Sequence, residues 1–143
     1  MVVESSRPRA LRGLGLLAEE WLRAAPGRVW ISITGYGRDD PGQRVAFGDD
    51  AAVAGGLVAY QADRTPVFCA DAIADPLTGL YAALAGLSAH ARGGGVLVDV
   101  AMAGVCADIS RPAAAAPFPH AVRRSGQDWL VSHAAITQAV LAP

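Results

Sequence analysis

The sequence predicts an α/β fold, a mostly parallel sheet with flanking helices. Three observations predict it. Short β-branched and apolar runs alternate with stretches of helical periodicity. Short glycine-rich turns separate the two kinds of segment. One strand candidate, residues 28–37, is continuously apolar, as a strand covered on both faces is. At 143 residues and 52% hydrophobic, the chain holds enough apolar surface for one domain with a sizeable core.

Taken in order, "VVESSRPRAL" begins with an apolar pair and passes at once into a Pro/Arg turn, as a strand end does. "LGLLAEEWLRAAPG" places Leu14, Leu17, Trp21 and Leu22 at helical spacing, with Glu19 and Glu20 opposite and a Pro26-Gly27 stop. "RVWISITGYG", residues 28–37, is β-branched and aromatic and reads as a buried strand, followed by the loop "GRDDPGQR". From Phe47 to Tyr60 small residues dominate. Asp49 and Asp50 stand where a helix N-terminus favours negative charge, so a short helix is expected, loosened by Gly55 and Gly56.

"TPVFCADA" is the next short strand. Asp75-Pro76 then opens a helix whose Leu77, Leu80, Tyr81, Leu84 and Leu87 form one apolar stripe, ending at "ARGGG", where Gly93, Gly94 and Gly95 read as a C-cap and tight turn. "VLVDVAM" is a buried strand or a strand-to-helix junction. Beyond Arg111, "PAAAAPFPH" reads as a Pro/Ala linker and "DWLVSHAAITQAVL" as a closing strand or helix. The expected organisation is one partial domain over residues 1–110, then a linker and C-terminal segment over 111–143.

The bulk numbers exclude several classes. Net charge is −1, from 12 basic and 13 acidic residues dispersed along the chain, which leaves no electrostatic footprint for nucleic acid or an anionic membrane. No segment reaches the roughly 18 apolar residues of a membrane span, and the N-terminus has no secretion signal, so a cytoplasmic location is expected. Cys69 and Cys106 sit among small apolar residues and read as buried structural thiols. No metal-ligand spacing links either to a histidine, so no metal site is expected.

Asp75 poses the functional question. An aspartate before a proline satisfies the rules for a helix N-cap. The same helix terminus stabilises a carboxylate in its ionised form, and the carboxyl ends of parallel strands are where α/β sheets place ligands. The two readings are compatible.

The ordered segments "VVESSRPRALRGLGL", "VWISITGYGRDDPG", "GDDAAVAGGLVAY", "IADPLTGLYAAL" and "GGGVLVDVAMAGVCA" resemble the middle of the large domain of the family III CoA-transferases, a group that includes the α-methylacyl-CoA racemases. The likeness runs over roughly residues 2–107 and implies a Rossmann-like portion of that domain. It puts Asp75 at the transferases' nucleophile position. It thereby implies CoA transfer from an acyl-CoA to a carboxylic acid through a covalent aspartyl intermediate, with the CoA thioester a substrate and no permanently bound cofactor. Backbone amides near Gly79 are candidate oxyanion donors, although Gly79 also reads as a site of close helix packing.

Other positions follow the family less closely. The family's CoA-contacting Asn-aromatic pair falls on Ser5 and Ser6, candidates for CoA binding. Its arginine before "LG" is replaced by Gly13, with Arg12 one residue away. Racemases pair the aspartate with a histidine ahead of the small-residue helix, where this chain reads "VAFGDD", so transfer is expected over racemization. His90 lies some 20 Å along the helix from Asp75, at about 1.5 Å per residue. It reads as a partner for the C-terminal dipole. His120 and His133 carry no assigned role.

Family members are longer and pair as interlocked dimers. A truncated or split-chain form is therefore expected, with a homo-oligomer or a complementary chain completing it. The alternative is a degenerate, non-enzymatic domain or assembly module that binds a partner chain.

Overall fold

The computed structural model describes residues 1–111, 120–126, 128–133 and 136–140. In chain order its elements are β1 (Val2–Glu4), α1 (Pro8–Gly13), α2 (Ala18–Arg23), β2 (Val29–Thr34), α3 (Gly48–Ala54), β3 (Val58–Tyr60), β4 (Pro66–Phe68), α4 (Ala74–Ala91), β5 (Val96–Ala101), α5 (Met102–Ile109), β6 (His120–Ser125), β7 (Asp128–His133) and β8 (Ile136–Val140). Two compact units result, Met1–Arg111 and Pro112–Pro143.

In the first unit β2 is the middle of a three-stranded parallel sheet, paired with β1 from Val2↔Trp30 and with β5 from Val29↔Val96 to Thr34↔Ala101. Its alternation sorts the two faces. Val29, Ile31 and Ile33 join Ala82, Ala89, Val98, Val100 and Val105 in the main core. On the other face Trp30 stacks edge-on against Trp21 of α2 at 5.6 Å and donates its indole N–H to Glu4 at 3.2 Å. A second cluster, built from Ala51, Ala52, Ala74, Met102 and Cys106, joins α3, α4 and α5.

Several expectations are corrected here. The leucine-rich stretch after Arg12 is not one helix from Leu14. Pro8 starts α1 at a position where its missing N–H costs nothing, and a turn through Leu14–Leu17 separates α1 from α2. The helix expected across 47–60 stops at Gly55, and Val58–Tyr60 turns back as a strand. That strand pairs antiparallel with β4, so "TPVFCADA" supplies a hairpin rather than a member of the parallel sheet.

The stripe on α4 is inverted. Leu80, Leu84 and Leu87 are 65–72% exposed and Tyr81 is also exposed, while Ala74, Thr78, Ala82, Gly86 and Ala89 face inward. The reason is distance. At Gly86 an added Cβ would collide with Ile31, so the helix lies too close to the sheet for leucines to intervene. Leu77 alone of the stripe packs against the core.

Cys106 is fully buried and its burial pushes the thiol pKa up, but Cys69, just after β4, is exposed. At "VLVDVAM" β5 runs directly into α5, so the junction is present, but the strand is not buried: β5 is an outer strand of the three-stranded sheet, with Val96 and Asp99 exposed and only Val100 buried.

In the second unit β6, β7 and β8 form an antiparallel meander with β7 in the middle, so the closing segment is strand. The expected linker over 112–119 lies outside the described residues. Among the described residues no helix is long and apolar enough to cross a membrane.

Candidate active site

A cavity of about 600 Å³ opens in the first unit where β1 and β2 end. The Ser5–Ser6 turn and Arg7, Arg9 and Arg12 line it from the β1–α1 side, and Thr34 to Phe47 supply the loop after β2. Asp75, Thr78 and Gly79 come from α4, with Ile33 and Met102 as apolar surface. The sequence-predicted residues Asp75, Ser5 and Ser6 therefore share one cavity, with Arg12 and Gly79 beside them.

The local physics explains each wall. Glu4 folds the serine turn back, its carboxylate accepting the Ser6 N–H at 2.7 Å while it also takes the Trp30 indole. The loop after β2 is pinned at three points. Thr34 Oγ1 accepts the Gly37 N–H at 2.8 Å, the Asp99 carboxylate accepts the Arg38 N–H at 3.0 Å, and the Arg38 side chain donates to Glu19 at 2.9 Å. Further along, Arg44 binds Asp40 through both its side chain and its backbone N–H and lies 4.0 Å over the Tyr36 ring. That guanidinium holds the Asp40 carboxyl below the usual aspartate range.

Asp75 is not the helix cap. Ile73 occupies that position, so Asp75 is the second helical residue and Pro76 the third. The Asp75 carboxylate is exposed, lines the cavity, and makes no hydrogen bond or ion pair among the described residues. Its placement in the first turn leaves it within the positive end of the α4 dipole. One turn on, the Thr78 hydroxyl is buried without a partner among the described residues.

Gly79 itself supplies no donor: its N–H lies beyond the first four positions of α4 and belongs to the helix ladder, so an oxyanion donor near it would come from the first turn. Nothing lies within 4 Å of an added Cβ, so close packing is not its role either. Gly79→Ala is expected to stabilise the unit by about 0.8–1.0 kcal/mol, the cost of glycine in a helix interior, read as a higher thermal midpoint.

Sequence reasoning missed Arg7 and Arg9. Both line the cavity with Arg12, and none of the three has a carboxylate partner among the described residues. Arg9 and Arg12, three apart on α1, share a helix face, and that spacing was readable. His90 stands in the last turn of α4 as expected. No group of three or more His, Cys, Asp or Glu among the described residues could hold a metal ion.

Known proteins resemble this chain in four cases. The family model for CoA-transferase family III matches residues 1–136. The chain is 36% identical over 107 residues to a succinyl-CoA–D-citramalate CoA-transferase of Chloroflexus aurantiacus, covering 70% of this chain and 27% of that protein. Among solved structures, a CaiB/BaiF family protein from Brucella suis superposes with a TM-score of 0.66 at 27% identity, over 77% of this chain and 31% of that one. A hypothetical protein of Mycobacterium tuberculosis superposes with a TM-score of 0.65 at 22% identity, over 94% of this chain and 42% of its own. This chain thus spans between a quarter and a half of the length of the relatives it matches.

Proposed function

This chain belongs to CoA-transferase family III, and from that premise we propose that Asp75 is the nucleophile in transfer of coenzyme A from an acyl-CoA to a carboxylate. The observation that carries this reading is the Asp75 carboxylate itself: exposed, unpaired, at a helix N-terminus and lining the cavity. Its place in the first turn of α4 favours the ionised form that a nucleophile needs.

In the proposed reaction an Asp75 oxygen attacks the thioester carbonyl, the C–S bond breaks, and the CoA thiolate leaves an acyl–aspartyl anhydride. The thiolate then attacks the Asp75 carbonyl carbon, expelling the acyl group as a carboxylate and forming an aspartyl–CoA thioester. The acceptor carboxylate displaces CoA to give a second anhydride. CoA attacks the acceptor's carbonyl carbon, and the Asp75 carboxylate is regenerated. Atoms balance without an oxidant, reductant or water.

Ser5 and Ser6 offer free hydroxyls to the thioester's polar arm. Arg7, Arg9 and Arg12, without carboxylate partners among the described residues, offer guanidiniums to its phosphates, the geometry arginine suits. Transfer is favoured over racemization by the residue ahead of α3, which is Phe47. No histidine is among the described residues that line the cavity. Completion by a second chain, and a cytoplasmic setting, belong to the same proposal.

A second reading, an assembly module with Asp75 idle, draws on the leucines exposed along α4. One experiment separates the two. The chain is incubated with succinyl-CoA and hydroxylamine, and the peptide carrying Asp75 is weighed by mass spectrometry. A hydroxamate at Asp75 is expected; an unmodified peptide, with a second copy or a complementary chain present as well as without, overturns the nucleophile reading.

A further inference from the structure

We propose that Asp49 is a positioning residue for Asp75, an inference that rests on the nucleophile reading above. Asp49 and Asp50 are adjacent acids in the first turn of α3, and the structure gives them different work. Asp50 stays local, its carboxylate accepting the Phe47 N–H at 3.1 Å to close the helix end. Asp49 reaches across 23 residues, and its Oδ1 accepts the Ala72 N–H at 2.9 Å.

Ala72 is an unusual target. Its φ is +46°, in the left-handed region that a non-glycine residue adopts only when its surroundings hold it there. The Ala72 carbonyl in turn accepts the N–H of Asp75 at 2.9 Å. Two hydrogen bonds therefore run in series from Asp49 to Ala72 to Asp75, and the middle residue is the conformationally costly one.

Gly48 closes the clamp from the other side, because a Cβ there would fall 2.6 Å from the Ala72 oxygen and 2.7 Å from its Cβ. The Gly48-Asp49 pair is thus fitted to one backbone conformation, the one that feeds the first turn of α4 and aims the Asp75 side chain. Asp49 itself is half-buried and does not line the cavity, so it acts through the backbone and never on substrate.

The test compares wild type with Asp49→Asn, Asp49→Ala and the double variant Asp49→Ala/Ala72→Gly. Asparagine keeps an acceptor at the same place. Alanine removes it. Glycine at 72 takes positive φ without help. Two readouts are made on each: amide hydrogen exchange at Asp75, and the rate of succinyl-CoA-dependent hydroxamate formation as a function of thioester concentration.

Asp49→Ala is expected to expose the Asp75 amide to exchange and to lower the maximal adduct rate on the order of 10- to 100-fold, the scale of a small misplacement of a reacting group. The half-saturating thioester concentration should stay unchanged. Asp49→Asn should retain both, and Ala72→Gly should restore part of what Asp49→Ala loses. An Asp75 amide as protected in Asp49→Ala as in wild type overturns the proposal whatever Asp75 does chemically. A loss in Asp49→Ala that Asp49→Asn shares equally overturns it too. Absence of any adduct in wild type overturns the nucleophile reading instead and leaves the exchange result to decide the clamp.

Discussion

An Asp75→Asn variant is expected to lose the succinyl-CoA-dependent adduct entirely, with the fold and the thermal midpoint nearly unchanged. The two halves of this expectation have separate grounds. A carboxamide has no anionic oxygen to attack a thioester, so the covalent route closes at its first step. The side chain it replaces is exposed and without a hydrogen-bond partner among the described residues. The structural cost is limited to the favourable interaction of a negative charge with the helix N-terminus, about 0.3–1 kcal/mol. The check is mass spectrometry beside a thermal melt on the same preparation. A full yield of adduct in the variant, or a melt lowered by much more than the dipole allows, would show that Asp75 has been misread.

Gly55→Ala is expected to cost about 3 kcal/mol, at the upper end of overpacking penalties. Gly55 ends α3 where α5 crosses, and an added Cβ would collide with the Cys106 side chain and lie 2.7 Å from the Ala103 carbonyl and 2.8 Å from the Ala107 N–H. Two of those neighbours are backbone, so no rotamer change relieves the clash. The helices must separate, and the bond from the Ser110 hydroxyl to the Gly55 carbonyl at 2.9 Å breaks as they do, leaving that hydroxyl to the Ala107 carbonyl at 3.2 Å. For a unit of this size the midpoint should fall by roughly 12–24 °C, at about 4–8 °C per kcal/mol. A midpoint within a few degrees of wild type would mean that the contact is looser than drawn.

What could be read from the sequence divides along physical lines. β2 was legible because a continuous β-branched and aromatic run has one stable use, between two covering layers, whereas β5 was legible as a strand but its exposure on the outside of the sheet was not. The long helix after Ala74 was legible from its period, but its orientation was not. Periodicity separates two faces without saying which lies closer to the sheet, and here closeness selected alanine and glycine over leucine. β4 was read as a strand, but β3 and the hairpin it makes with β4 were missed, because Val58–Tyr60 is too short to compete with the helix signal just before it.

At the cavity, Asp75 and the Ser5–Ser6 turn were found through family likeness, whereas Arg9 and the division of labour between Asp49 and Asp50 were not. Adjacent acids look alike until a partner 23 residues away distinguishes them.

The cavity's walls come from stretches that are far apart along the chain, around residues 5–12, 33–47, 75–79 and 102. An unfolded chain scatters them, so a molecule that fits the hollow binds only the folded form. Linkage then makes heat a reporter: a compound at a hundred times its dissociation constant adds about 2.7 kcal/mol to the stability of the first unit. Melting curves recorded against a panel of thioesters and carboxylates would rank candidate occupants of the hollow without waiting for a single turnover.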